Sequence, residues 1–187
     1  GWLKKVSPLF WVTVIIPTSI SLVYFGLFSS DRFTSQSSFV VRSPKSQSSF
    51  NGLGAILQGT GFSRAQADIY TVQEYMRSRS SLDELRKTLP VREFYETKGD
   101  VFSRFNGFGF RGEEEAFYQY YKDKLNINFD AISGISTLNV TSFDALESKK
   151  INEALLKQGE ALINQLNDRA RSDTVRYAEE VVKTAEE

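Results

Sequence analysis

VSPLFWVTVIIPTSISLVYFGLFSS, residues 6–30, runs for 25 positions without a charged side chain. At a rise of 1.5 Å per residue, a helix of that length reaches roughly 37 Å, more than the ~30 Å hydrocarbon slab of a bilayer. Twelve positions between Pro8 and Phe28 are Leu, Ile, Val or Phe. At about −0.3 to −0.6 kcal/mol each, they favour insertion by roughly 4 to 7 kcal/mol before polar residues are counted. Trp11 near one end, and Tyr24 with Phe25 near the other, match the aromatic belts of a membrane interface. Pro17 lacks an amide proton and is expected to kink the span. A cleaved signal peptide carries an apolar core of only about 7 to 15 residues, so the stretch reads as a retained anchor. Pro8, Trp11, Pro17, Tyr24 and Phe28 mark out that anchor.

Flanking charge does not orient the span, because Lys4 and Lys5 precede it while Arg32, Arg42 and Lys45 follow it. The chain opens on Gly rather than Met, and its last residues, VRYAEEVVKTAEE at 175–187, read as helix with no stop signal. Both ends lead to the expectation of a piece of a longer membrane protein. Composition removes several classes of chemistry. With 23 Lys+Arg against 23 Asp+Glu, the chain lacks the basic footprint of a duplex nucleic-acid binder. With no His and no Cys, it can build neither a Ser-His-Asp triad nor a Cys-His pair, a zinc site of the HExxH type or a disulfide. No cofactor and no metal are expected.

Beyond the span, Phe33, Ser35, Ser37, Phe39 and Val41 alternate with polar neighbours, the period of a half-buried strand. A Gly/Ser-rich excursion follows at 43–63, with glycines at 52, 54, 59 and 61. No Gly-Lys-Ser/Thr stands at the spacing of a phosphate-binding loop, so the excursion reads as an irregular segment. Ser63 with Gln66, and Ser81 with Glu84, have capping-box spacing. They frame two helices whose apolar faces are Ile69, Val72 and Met76, then Leu82, Leu85 and Leu89, up to Pro90. Residues 91–112 are aromatic and punctuated by glycine, which reads as aromatic loop packing; the GFGF at 107–110 lacks the context of a dinucleotide fingerprint. Glu113, Glu114 and Glu115 suit the positive end of a helix carrying Phe117, Tyr118, Tyr120 and Tyr121. These four rings circle the helix, which favours core packing over stacking on a sugar.

Leu125, Ile127 and Phe129 alternate with polar residues, and so do Leu138 and Val140 after the Ser133-Gly134 turn signal, which predicts a hairpin. Asn139-Val140-Thr141 also has the form of a glycosylation sequon, without meaning in a bacterium. Asp144 caps, with Glu147 at N3, the longest predicted element. Ile151, Leu155, Leu162, Leu166 and Ala170 form one apolar stripe along it, which falters through DRARSDT at 168–174. Val175, Val181 and Val182 then resume it at a shifted phase, as in an imperfect coiled coil or a long hairpin arm.

The order of parts carries a resemblance: anchor, FTSQSSFVVRS at 33–43, IYTVQEYMRSRSSLDELRKTL at 69–89, ISTLNVTSFD at 135–144, and ALESKKINEALLKQGEALINQLN at 145–167. The chain resembles the chain-length-determinant (Wzz-like) or polysaccharide co-polymerase family. More narrowly, it is similar to the inner-membrane components of capsule polysaccharide export of the KpsE/BexC/CtrB type. The resemblance implies an α+β, membrane-anchored fold. Residues 1–30 would be the span with a short cytoplasmic flank, 31–143 a small Wzz-like periplasmic domain, and 144–187 the first arm of a long helical hairpin, with a second span further on. It also implies a non-enzymatic scaffold in the bacterial inner membrane, assembled as a homo-oligomeric ring. Its partners would be an ABC transporter, an outer-membrane polysaccharide export protein and a lipid-linked acidic polysaccharide.

Two other readings stay open: a regulator of O-antigen chain length within the same family, and the extracytoplasmic sensor domain of a signalling receptor. An anchored glycan hydrolase would need two acids across a cleft. Asp100 and the Glu113–Glu115 cluster are the candidates on paper, against a simpler reading as helix-start and surface charge. Arg42, Lys45 and Arg64 fall near the expected membrane surface and are candidate contacts to polymer or lipid headgroups, beside the plainer reading as solvated charge.

Overall fold

In the computed structural model, residues 8–41 and 67–186 are described. The Gly/Ser-rich excursion at 43–63, the Ser63/Gln66 capping box, and Arg42, Lys45 and Arg64 all lie outside them.

Helix α1 covers 8–28 and is continuous, yet not uniform. It is α-helical at Pro8–Phe10 and Ile16–Val23, and winds more widely, as π-helix, at Trp11–Ile15 and Tyr24–Phe28. The first wide segment ends where the amide of Ile16 donates to the carbonyl of Trp11, directly before Pro17. Pro17 has no amide to offer the preceding turn and its ring crowds that turn's carbonyl. The π-turn is the local adjustment at that site, and the helix runs on through the proline. The hydroxyl of Thr13 donates to the Leu9 carbonyl at 2.8 Å within the same stretch.

Strand β1 (Phe33–Phe39) begins a few residues past the end of α1. The chain returns through α2, seen at 67–77, α3 (Arg79–Arg86), α4 (Val91–Glu96) and α5 (Glu114–Asp123) to the hairpin β2 (Leu125–Asp130) and β3 (Ile135–Ser142). It closes in α6 (Ala145–Glu186), a single helix of 42 residues. The sheet has the order β1-β3-β2 and is antiparallel throughout. The predicted hairpin stands. Its turn is held by Asp130, whose Oδ1 accepts from the amide of Ile132 and whose Oδ2 accepts from the hydroxyl of Ser133, with Gly134 supplying a φ of +71°. Asn139 to Thr141 lie within the central strand, between β1 and β2.

Alternation sorts the sheet into two faces. Leu125, Ile127, Leu138 and Val140 turn inward, where Val72, Met76, Leu82, Leu85, Val91, Tyr95, Phe105, Phe117, Tyr121, Ile151 and Leu155 complete one core. Thr34 and Thr141 meet on the opposite face, hydroxyl to hydroxyl at 3.0 Å. Of the four helical aromatics, Phe117 and Tyr121 are fully buried, and Tyr118 and Tyr120 pack against the core from its edge, as the core-packing reading expects.

Two local expectations need correction. Ser78, not Ser81, caps α3: its side chain accepts from the amide of Ser81 at 3.2 Å. Ser81 is wholly buried, and its hydroxyl is committed to Gln158 on α6 at 2.6 Å, so a tertiary bond takes the residue that spacing had assigned to the cap. The opening of the aromatic segment is helical rather than loop. Val91 and Tyr95 stand four residues apart on α4 and are both fully buried, and the Tyr95 hydroxyl donates to the Thr141 carbonyl at 2.9 Å.

The start of α6 agrees with expectation, since Asp144 Oδ1 accepts from the amides of Leu146 and Glu147. Asn152, almost wholly buried, ties α6 to two strands by donating to the carbonyls of Ser35 and Leu138, while accepting from the Ser37 hydroxyl. A Cβ at Gly159 would displace the end of the Met76 side chain, so α2 and α6 cross in contact at that position. These contacts also set direction. α6 begins beside Ser142, opposite Phe33, and moves along β1 toward Ser35 and Ser37, away from α1. Forty-two residues at 1.5 Å give it a length of about 63 Å.

Candidate functional site

The residues that join α1 to the body form the most elaborated site outside the core. Tyr24, in the last turns of α1, donates its hydroxyl to Asp100 Oδ1 at 2.7 Å, and the amide of Ser30 donates to Asp100 Oδ2 at 3.3 Å. The amides of Phe102 and Ser103 reach the same carboxylate at 3.0 Å. Desolvation alone would raise the pKa of Asp100, but the hydrogen bonds from Tyr24, Ser103 and Ser30 outweigh it and hold the carboxyl well below the usual carboxylate range. Asp100 is therefore an ionised clasp between the helix and the loop at 97–113. Arg32 adds a bond to the Ser103 hydroxyl at 3.2 Å, and Tyr120 donates to the Ser103 carbonyl at 2.7 Å. Packing follows the polar contacts: the Tyr24 ring meets Phe102 edge-on at 5.2 Å, and Phe102 meets Phe108 at the same distance and a similar angle.

Three of the four acids considered for hydrolysis, Asp100, Glu114 and Glu115, are thus engaged in holding the fold together, while Glu113 is exposed at the start of α5 and makes no side-chain cap bond. Asp100 is filled by its donors, Glu114 bridges Arg86 at 2.6 Å and also pairs with Arg92, and Glu115 pairs with Arg79. Arg86 and Arg92 hold Glu114 below its ordinary pKa. A polar pocket of about 260 Å³ lies between Glu74, Arg77, Ser78, Tyr118 and Lys122, where Tyr118 donates to the Arg77 carbonyl and the Arg77 guanidinium to the Ile127 carbonyl. Among the described residues, no group of three His, Cys, Asp or Glu side chains is placed to hold a metal ion.

Of the anchor residues, Pro8 opens the described helix, Trp11 and Phe28 are exposed on it, Pro17 follows the first π-turn, and Tyr24 turns to Asp100. None of the residues from Trp11 to Phe28 is buried inside the protein, and among the described residues this is the one helix long and apolar enough to cross a membrane. Sequence reading missed the Tyr24–Asp100 pair, whose members are 76 residues apart and carry no local signal of each other.

A second exposed region is the far half of α6. Ile151 and Leu155 are fully buried, and Leu162 still packs on the core. Val175, Tyr177, Val181 and Val182 are open, with Val175, Ala178 and Val182 lining one shallow apolar groove.

No family model matches the chain. Individual proteins do. It is 90% identical over all 187 residues to the capsule polysaccharide export inner-membrane protein CtrB of Neisseria meningitidis serogroup B, covering 48% of that protein. It is 62% identical over 98% of its length to the capsule polysaccharide export inner-membrane protein BexC of Haemophilus influenzae, again covering 48%. It is 29% identical over 93% of its length to the capsule polysaccharide export inner-membrane protein KpsE of Escherichia coli, covering 45%. The chain spans about half the length of these relatives. Across that half, from the apolar helix through the sheet to the long helix, these 187 residues are similar to proteins named as capsule polysaccharide export inner-membrane proteins, of the CtrB, BexC and KpsE type.

Proposed function

We propose that this chain is part of a non-enzymatic scaffold for capsular polysaccharide export. In this reading 1–30 anchors the protein, with Pro8, Trp11, Pro17, Tyr24 and Phe28 on the span. Residues 31–143 form the periplasmic body, and 144–187 begin a long hairpin that returns to a second span. Several copies assemble as a ring around or on an ABC transporter and lead toward an outer-membrane export protein, guiding a lipid-linked acidic polysaccharide. ATP hydrolysis falls to the transporter.

The observation that carries the reading is the course of α6. It starts at the membrane-exit side of the sheet, is seated by Asn152, and then leaves the body with Val175, Ala178 and Val182 uncovered. A helix that departs from the membrane by tens of ångströms and keeps an apolar row open is suited to pairing with a second arm or a second copy. Arg42, Lys45 and Arg64 remain proposed contacts to polymer or headgroups. Simultaneous charge reversal at all three should reduce export while leaving the protein level unchanged.

The test is the fate of polysaccharide in a strain deleted for the full-length gene. Polymer should accumulate inside the cell, and the full-length protein should purify in mild detergent as a homo-oligomer together with the transporter. Normal export with an altered length distribution would replace this reading by the chain-length regulator. No change in either would remove the export role.

A further inference from the structure

Loop 97–113 is built to a firm plan. Phe105 turns inward, nearly buried, with its amide donating to the Tyr95 carbonyl at 2.8 Å and its ring 5.0 Å from that of Phe117. Asn106 adopts a φ of +53° and clasps the loop, its side-chain oxygen accepting from the amide of Arg111 and its carbonyl from the amide of Gly109. Around that fixed root the remaining aromatics point outward: Phe102 is 70% exposed, Phe108 58% and Phe110 89%. Val101 beside them is also exposed. A soluble surface does not ordinarily display several large apolar side chains together on an ordered loop.

The position of the loop indicates what covers them. Its Asp100 and Phe102 grip Tyr24, four residues before the end of the apolar helix, so Phe102, and through it Phe108, adjoin the place where α1 would leave the bilayer, with Phe110 two residues further along the loop. Trp and Tyr concentrate at the level of lipid headgroups, Phe and Leu of interfacial segments bury at the headgroup–acyl boundary, and cations lie beside them. The exposed Arg111 and the half-buried Arg104 belong to the same loop, which ends on the exposed Glu113, while Glu114 and Glu115 just beyond it are already paired with Arg86, Arg92 and Arg79. Resting on the reading of α1 as a membrane span, we propose that Phe102, Phe108 and Phe110 insert into the headgroup and upper acyl region of the same bilayer. The loop is thereby a second membrane contact that seats the body on the lipid surface, with Tyr24–Asp100 fixing its height against the helix.

The 187 residues contain no cysteine, so single nitroxide labels can be placed cleanly. Phe110→Cys, Leu22→Cys in α1 and Ile132→Cys at the distal hairpin turn would each be made in the full-length protein, with any other cysteine replaced by serine. Each would be labelled in vesicles of phosphatidylethanolamine and phosphatidylglycerol. Collision rates with oxygen, which concentrates in lipid, and with a neutral nickel chelate, which stays in water, report depth. The label at 110 should favour oxygen over nickel, as the one at 22 does, whereas the one at 132, a position 99% exposed, should favour nickel. A Phe108→Cys label should side with 110. A water-like ratio at 110 with a lipid-like ratio at 22 overturns the loop insertion and leaves the span intact. Low accessibility to both reagents at 110 overturns it in favour of a protein partner over the loop, and a water-like ratio at 22 overturns the span and the insertion together.

Discussion

The two halves of α6 are one uninterrupted helix with opposite surroundings. In the near half, Ile151 and Leu155 are fully buried, Asn152 bonds across two strands, and Gly159 lets α2 approach to contact. In the far half, Val175, Val181 and Val182 lie open among the described residues. The backbone geometry of a helix is the same in both, so helix propensity cannot be what separates them. The difference teaches that apolar residues at helical spacing have two fates here: the near set closes a core within the chain, and the far set stays exposed.

The largest effect that would break this contrast comes from cavity formation. Leu155→Ala should destabilise the body by about 2–5 kcal/mol, because a fully buried leucine leaves a void its neighbours only partly fill. Val182→Ala, at an open position, should cost less than about 0.5 kcal/mol in the same chain. Chemical denaturation followed by far-ultraviolet dichroism measures both, and equal losses would mean that the far half is packed after all. A smaller effect sharpens the near half: Asn152→Ala removes the bonds to the Ser35 and Leu138 carbonyls and from the Ser37 hydroxyl, and should cost about 1–3 kcal/mol without a change in helix content.

The smallest effect concerns pH at the root of α6. Hydrogen bonds from Lys98 and from the amide of Leu146 lower the pKa of Asp144, while Glu147 and Asp144 raise that of Lys98. The carboxylate contribution is fully present above its unfolded pKa of about 4 and is lost as pH falls through its lower folded value. The ammonium contribution is fully present below about pH 10 and is lost as pH rises through its higher folded value. Lys98 is exposed and Asp144 partly so, which keeps the effect modest. Thermal melts of Asp144→Asn should therefore lie below those of the parent at pH 6 and converge with them at pH 2. A gap that persists at pH 2 would show that the charge is not what the cap uses.

How much of this was legible in the sequence follows from the range of the interaction concerned. The strand at Phe33–Phe39, the hairpin and the Asp144 cap rest on residues within a few positions of one another, and all were readable from alternation and spacing. The Ser81 box misled because its signal was local while the residue's bond to Gln158 spans 77 positions. The aromatic segment misled for a related reason. Its rings read as loop packing, yet of the loop's four phenylalanines Phe105 alone is buried, and only the placement of Asp100 against Tyr24 puts the others beside the apolar helix.

By itself the sequence determined the apolar helix, the alternating strands and the long terminal helix with its apolar stripe, because each is a periodic pattern that one segment of chain carries alone. It also barred His and Cys chemistry outright, since those residues are absent. Tertiary structure alone decided that β1 pairs with β3 across some hundred residues, that α6 runs away from α1 rather than back toward it, and that loop 97–113 clasps the base of that helix. Such pairings depend on which surfaces meet once the chain has closed long loops, and no local pattern encodes the partner.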